Sequence, residues 1–172
     1  MDRQAPTERR SRLRQYQVQL LERMQAARSG AAEGGRELGV RLGGRLCLLD
    51  LTQISEIVPL QPITPVPLTQ EWYLGLVNIR GHLTGVIDLA RYHGQAAGDS
   101  APSERRLITF APSLGFNCAL LVERVLGLRK LAEMTPRQDA PLEFVDADGQ
   151  PWTRIDLAQL VLEPRFSQVG LI

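Results

Sequence analysis

The sequence predicts a mostly β protein built from two similar small lobes and preceded by a helical segment. Three observations carry this prediction: strand-length apolar runs lie between turn-forming residues, two parts of the chain repeat one another, and a periodic apolar stripe marks the N-terminal segment. The 172 residues are 44% hydrophobic and 23% charged, an ordinary composition for a globular protein with a core. We expect residues 1–36 to form the helical extension and residues 37–172 the β body, with lobes at about 37–97 and 104–163.

Charge and hydropathy exclude several classes of protein. The formal net charge of +1 argues against a nucleic-acid-binding barrel, and only 5% of the residues are aromatic, which is too few for stacking single strands. No apolar run approaches the ~20 residues that span a bilayer, and the charged N-terminus lacks the apolar stretch of a secretory signal. We therefore expect a cytoplasmic protein, in which Cys47 and Cys118 stay reduced.

The N-terminal segment carries one helical stripe. Its apolar residues recur at three- and four-residue steps: Leu13, Tyr16, Leu20, Met24 and Ala27. Three glycines end the pattern by residue 35. Two interpretations stay open: a helix packed on the body of the same chain, or a docking helix for a partner or an acidic surface.

The first predicted lobe follows in chain order. The run GVRLGGRLCLLDL predicts two strands joined at Gly43 and Gly44, because glycines accept the backbone angles of a two-residue hairpin turn. A third strand, TQISEIVP, ends at Pro59, and the proline-rich QPITPVPLTQ predicts an extended loop. Two more strands, GLVNIR and LTGVIDL, flank a turn at Gly81 and His82.

The second predicted lobe repeats the first. After the linker GQAAGDSAPS, the run RRLITFAPSLGFNCALLVERVLGL predicts strand, turn and strand. The segments GRLCLLDLTQISEI and GFNCALLVERVLGL each place a cysteine three residues after a glycine, and GHLTGVIDLA and GQPWTRIDLA both end in Ile-Asp-Leu-Ala. Because these matches occur in the same order, we infer an internal duplication. Lobes this small need a shared core or mutual packing.

The repeated aspartates, Asp88 and Asp156, are interpreted first as helix caps. Each stands between an apolar strand and a helix-forming run, which is the position of a helix N-cap. The alternative is a small duplicated β-barrel hydrolase in which the two carboxylates share a cleft. That chemistry requires the two side chains to converge, whereas caps lie at separate helix starts.

Other catalytic sets are weaker. His82 and His93 have neither helical nor strand metal-pair spacing, and the two cysteines lie in apolar strand runs. Trp72 and Trp152 each stand alone in the sequence, so packing is a better interpretation for them than a ligand cage. Phosphate-binding glycine motifs are missing from the sequence. We therefore expect a non-enzyme that needs neither cofactor nor metal.

Arg80 is unusual because an arginine rarely occurs in an apolar strand. Strand alternation puts Val77 and Ile79 on one face and Leu76, Asn78 and Arg80 on the other. A buried guanidinium needs a partner, so Arg80 either pairs with an internal carboxylate, Asp88 or Glu56, or is displayed beside the turn to recognise a partner's carboxylate.

The residues around Arg80 resemble a known family. LGLVNIRGHLTGVIDLA is similar to the signature of the CheW-like domain, Gly-Val-x-Asn-x-Arg-Gly followed by a short apolar stretch and Asp-Leu. VRLGGRLCLLDLTQISEIVPLQPITPVP resembles the family's opening, and CALLVERVLGLRKL resembles a later strand, with Glu123 where Asp is usual. The resemblance covers about residues 37–162. The sequence departs from it at Gly85, where proline is usual, and at Ala90, where arginine is usual.

The resemblance implies two SH3-like five-stranded β-barrels and an adaptor that couples a chemoreceptor's cytoplasmic tip to a CheA-type histidine kinase. The basic extension is most similar to family members of pilus chemosensory systems, so we expect a cytoplasmic adaptor, recruited to inner-membrane receptor arrays, that controls type IV pilus motility. Residues 134–149 form a shorter stretch than is usual in the family. It is therefore open whether the second lobe keeps all its strands. By position, the partner-binding residues that the resemblance implies are Arg80, Gly81, Asn78, Ile54 and Glu56.

Overall fold

The computed structural model describes residues 36–95 and 101–171, and these residues form a mostly β structure. The expected N-terminal helix lies outside the described residues. The strands in chain order are β1 (Arg36–Leu42), β2 (Arg45–Asp50), β3 (Ile54–Pro59), β4 (Tyr73–Ile79), β5 (His82–Ile87), β6 (Arg106–Phe110), β7 (Cys118–Val122), β8 (Arg124–Lys130), β9 (Thr135–Arg137), β10 (Ala140–Val145) and β11 (Pro151–Ile155). One-turn helices follow β5 and β11: α1 (Leu89–Tyr92), α2 (Leu157–Leu160) and α3 (Pro164–Ser167).

The predicted hairpins form at glycine-containing turns. Gly43 and Gly44, with φ of 57° and 74°, join β1 to β2, as the sequence predicts. The second hairpin differs from the prediction by one position. Its turn residues are Arg80 and Gly81, with φ of 53° and 82°, and His82 already belongs to β5. Arg80 therefore does not end a strand, because the left-handed backbone of a two-residue turn begins at this residue.

The eleven strands of the described ranges form two mixed sheets. Sheet A has the order β8-β1-β2-β11-β10-β9, and sheet B has the order β3-β6-β7-β5-β4. Each sheet contains strands from both repeats, because β2 pairs in parallel with β11 and β5 pairs in parallel with β7. The two sheets therefore do not coincide with the expected lobes at 37–97 and 104–163. Both β9 and β10 form, so the shortened stretch keeps its strands.

The strand register supports the internal duplication. Cys47 of β2 lies opposite Thr153 of β11, and Cys118 of β7 lies opposite Gly85 of β5. In both repeats the residue opposite the cysteine precedes the aspartate of Ile-Asp-Leu-Ala by three positions. The two repeats thus exchange equivalent strands with each other at the same register.

Three apolar clusters fill the described structure. The largest lies between the sheets and takes residues from both, including Leu49, Leu120 and Phe166. A second cluster is made by sheet B and the loop after β3, and a third by sheet A around Trp152. Each sheet therefore buries apolar residues on both faces, as curled sheets do. Trp72 and Trp152 are buried, which confirms that they pack in cores.

The end of the described chain returns to the loop between β3 and β4. The backbone N–H of Gln70 donates to the carbonyl of Val169 at 2.8 Å, and the N–H of Leu171 donates to that of Leu68 at 2.9 Å. Phe166 of α3 packs among aromatic rings, stacking on Trp72 at 5.8 Å and meeting Phe116 edge-on at 5.4 Å. These contacts fix the last turn of the chain to the space between the sheets.

Candidate partner-binding site

Arg80 stands at the tip of the β4–β5 hairpin, where the turn presents its side chain outward. The amide oxygen of Asn78 accepts a hydrogen bond from the backbone N–H of Gly81 at 2.8 Å, which ties the turn to the end of β4. A φ of 53° is uncommon for a residue with a side chain, so the turn holds Arg80 in a backbone state that most arginines avoid. The Asn-x-Arg-Gly block therefore builds the turn itself.

Arg80 forms an ion pair with Glu56 of β3. The Nε of Arg80 lies 3.1 Å from Oε2 of Glu56, yet 70% of the arginine side chain remains exposed. An ion pair this exposed contributes at most about 1 kcal/mol to stability. Its main effect is to orient the guanidinium, whose other N–H groups remain able to meet a second carboxylate.

Glu56 is held firmly by sheet B. Its backbone N–H donates to the hydroxyl of Thr109 on β6 at 2.8 Å, at a point where the register of β3 shifts. The Oε2 atom of Glu56 is shielded from solvent and has no well-aligned hydrogen bond in the described structure. The strand thus fixes the backbone of Glu56, and its shielded carboxylate pairs with Arg80 while most of the arginine side chain stays exposed.

Ile54 does not belong to the accessible part of this site. Its side chain is only 5% exposed and packs in the cluster between the sheets, so it cannot touch a partner directly. The shift in the β3 register separates it from Ile57, which is 44% exposed beside Glu56. Leu83, opposite Asn78 on β5, is exposed as well. Ile57 and Leu83 could not be recognised from the sequence, because only the register shift of β3 and the position of Leu83 beside the turn distinguish them from core residues.

We call Arg80, Glu56 and Leu83 the hairpin surface, because Leu83 pairs with Asn78 beside the turn. It combines a displayed cation, a carboxylate that orients it and one exposed apolar side chain. Apolar anchors next to an arginine are typical of surfaces that bind proteins.

The aspartates of the two repeats cap helices. Asp88 accepts a hydrogen bond from the backbone N–H of Arg91 at 3.2 Å and pairs with that arginine's Nε at 3.4 Å. Asp156 accepts from two backbone N–H groups of α2 and from the amide of Gln53 at 2.8 Å. Both are N-caps, as the sequence predicts, and each carboxylate is engaged at its own helix.

The cysteines suit packing better than chemistry. Burial raises the pKa of Cys47 and of Cys118 to about 11, so little reactive thiolate forms near neutral pH. Cys47 is buried and Cys118 is half-buried.

His82 and His93 are exposed, His82 at the start of β5 and His93 just after α1. Within the described ranges, no cluster of His, Cys, Asp and Glu could hold a metal.

A partly buried charge network in sheet A was not anticipated from the sequence. The carboxylate of Glu37 is only 2% exposed and accepts a hydrogen bond from Nε of Arg154 at 2.9 Å, while Asp50 lies 3.4 Å from the same guanidinium. Burial raises the pKa of Glu37, and the neighbouring arginine opposes this effect. The duplication gave no hint of this network, because Arg154 occupies the position of Val86 in the other repeat.

Residues 37–163 match the family of CheW-like domains, and the chain belongs to that family. Among the relatives, the protein PilI of Pseudomonas aeruginosa is 25% identical over 73% of this chain and 75% of its own length. The probable chemotaxis protein CheW of Rhizobium etli is 30% identical over 68% of this chain and 77% of its own length.

A solved structure shares the fold. The scaffolding protein TtCheW from Thermoanaerobacter tengcongensis superposes with a TM-score of 0.63 and 23% identity, covering 79% of this chain and 97% of its own. Among the described helices, none is long and apolar enough to cross a membrane.

Proposed function

We propose that this chain is a non-catalytic scaffold adaptor, which couples the cytoplasmic tip of a chemoreceptor to the regulatory domain of a CheA-type histidine kinase. The observation that carries the proposal is the hairpin surface, in which Arg80 is oriented by Glu56 but remains mostly exposed. Membership in the CheW-like family agrees with this role.

The mechanism is bridging. A carboxylate on one partner meets the outward N–H groups of Arg80, while Gly81 and Asn78 keep the turn in place and Leu83 supplies apolar contact. The second partner docks elsewhere on the two-sheet body, so receptor and kinase are held at a fixed distance. The kinase domain is expected to resemble this chain, and contact between similar sheet edges suits such a pair.

Pilus motility is the output that we propose. It rests on the similarity to PilI and on the basic N-terminal extension, which carries seven of the chain's twenty lysine and arginine residues before residue 36. The adaptor would then work in the cytoplasm, recruited to receptor arrays at the inner membrane.

A hydrolase using Asp88 and Asp156 has less support. Both carboxylates accept hydrogen bonds from the first turn of a helix, which consumes the acceptors that acid–base catalysis would need. We propose no catalytic residue for this chain.

The test is a pull-down from lysate of the source bacterium, with the full chain as bait and the captured proteins identified by mass spectrometry. We expect both a methyl-accepting receptor and a multidomain histidine kinase. Arg80→Asp should reduce the capture of at least one of them roughly tenfold. The control is Arg137→Asp, because Arg137 is also exposed and lies 3.1 Å from its own partner Glu143. Recovery of neither class, or equal loss with both variants, would contradict the proposal.

A further inference from the structure

An open groove lies where α1 of the first repeat meets β2 and β11 of sheet A. Its volume is about 510 Å³, and a smaller apolar recess of about 70 Å³ adjoins it. Apolar and charged side chains line the two together. The apolar ones are Leu42, Cys47, Leu89, Leu142, Ile155 and Leu160, and the charged ones include Arg45, Arg154, Asp156 and Glu163. Leu142, which lines the larger groove, is 47% exposed.

The duplication provides an equivalent groove in the other half, and there it is filled. Cys118 lies opposite Gly85 as Cys47 lies opposite Thr153. Tyr73 covers Gly85 so closely that an added Cβ would lie 2.8 Å from the tyrosine oxygen. Phe116, two residues before Cys118, packs edge-on against Phe166 at 5.4 Å.

The filling of that second groove comes from the end of the chain. Phe166 and Val169 follow the repeated region and pack into the cluster between the sheets. In the open groove, Arg45 stands at the position of Phe116, and none of the side chains described in the structure plays the part of Phe166. In one repeat the groove is thus filled by the end of the same chain. In the other repeat no described residue fills the equivalent groove.

We propose that the open groove binds this chain's own N-terminal segment, through the apolar stripe at residues 13–27. The stripe offers Leu13, Tyr16, Leu20 and Met24 on one side of the predicted helix, which matches the apolar side chains that line the groove. As a helix, residues 13–27 would be about 22 Å long.

The point where the segment joins the described structure supports binding in cis. Glu37, the second described residue, hydrogen-bonds Arg154 at 2.9 Å, and Arg154 lines the groove. Nine residues, including three glycines, separate Ala27 from Glu37. An extended stretch of that length spans about 30 Å, so the stripe reaches the groove without strain.

Hydrogen exchange on the full chain, read by mass spectrometry, tests the proposal. We expect the amides of residues 13–27 to exchange roughly tenfold faster in Leu20→Asp than in the unaltered protein. Leu142→Arg in the groove should have the same effect on those amides. Two controls should leave them unchanged: Gln19→Asp, which lies off the stripe, and Leu128→Arg, which alters a leucine that is 53% exposed on the edge strand β8.

Three outcomes would overturn the proposal. Exchange of residues 13–27 in the unaltered protein as fast as in Leu20→Asp means that the stripe is unbound. Protection that survives Leu142→Arg means that the stripe binds another surface. A photo-crosslinking amino acid at position 20 should join β10 or α2 of the same chain, and crosslinks mainly between two copies would assign the groove to a second molecule.

Discussion

Arg80 and Glu56 pair across two elements that are distant in the sequence, yet the arginine remains 70% exposed. Glu56 is fixed to sheet B through Thr109, whereas Arg80 extends from the tip of a hairpin. Both interpretations that the sequence allowed are therefore present: Arg80 has an internal partner, and it is displayed. Stability and binding measurements on the same variants determine which of the two dominates.

The thermal stability of Arg80→Asp should change little. No core atom is removed, the exposed pair contributes at most about 1 kcal/mol, and aspartate tolerates a positive φ better than most residues. We expect the thermal midpoint to fall by only a few degrees, measured by circular dichroism. A collapse of the midpoint, with normal partner binding by the folded remainder, would make Arg80 a structural residue.

Glu56→Gln should weaken partner binding through Arg80. The amide keeps the size of the side chain but loses the charge that orients the guanidinium 3.1 Å away. We expect a smaller loss of affinity than for Arg80→Asp, and the double variant should lose less than the sum of the two single losses. Fully additive losses in the titration would show that Glu56 does not act through Arg80.

The two helix caps should differ in strength. Asp156 accepts from two backbone N–H groups and from Gln53, whereas Asp88 accepts from one backbone N–H group. Asp156→Ala should therefore lower the free energy of unfolding by about 1–2 kcal/mol, and Asp88→Ala by about 1 kcal/mol or less. Urea denaturation measures both. Equal losses would mean that neither the second backbone bond nor the bond from Gln53 adds to the strength of the cap.

Both cysteines should contribute to stability as core residues, and Cys47 should contribute more than Cys118. Cys47→Ala should cost about 1 kcal/mol or somewhat more, and Cys118→Ala should cost less, because Cys118 is only half-buried. Partner binding by the folded protein should persist in both variants. A binding defect that occurs without loss of stability would point to a chemical role for the thiol.

Glu37 should make stability depend on pH. Its pKa is raised in the folded protein, so the folded state binds a proton at Glu37 more tightly than the unfolded state, and the contribution of Glu37 to stability grows as the pH falls. The unfolding free energy of the unaltered protein minus that of Glu37→Gln should therefore grow from neutral pH down towards the usual pKa of 4.5. Chemical denaturation across this range tests the sign. A difference that shrinks on acidification would show that the ion pair with Arg154 outweighs burial.

Local patterns in the sequence were enough to predict the hairpin at Gly43 and Gly44, the caps at Asp88 and Asp156, and the duplication. Each depends on residues close together in the chain. The exchange of strands between repeats was not predictable, because β2 and β11 each pair with one strand of their own repeat and could equally have taken the second neighbour from it too. The positions of Ile54 and Ile57 were likewise hidden, since one shift in register reverses which face a side chain occupies.

The exchange of strands also determines how the protein is assembled. Cys47 and Thr153 are neighbours in sheet A although more than a hundred residues separate them, and the same sheet takes β1 and β2 from one repeat and β8 to β11 from the other. When only the first repeat has left the ribosome, both sheets therefore still lack strands. Folding must wait for the second repeat, and a chain cut in the linker between the repeats would yield two fragments that gain structure only by finding each other.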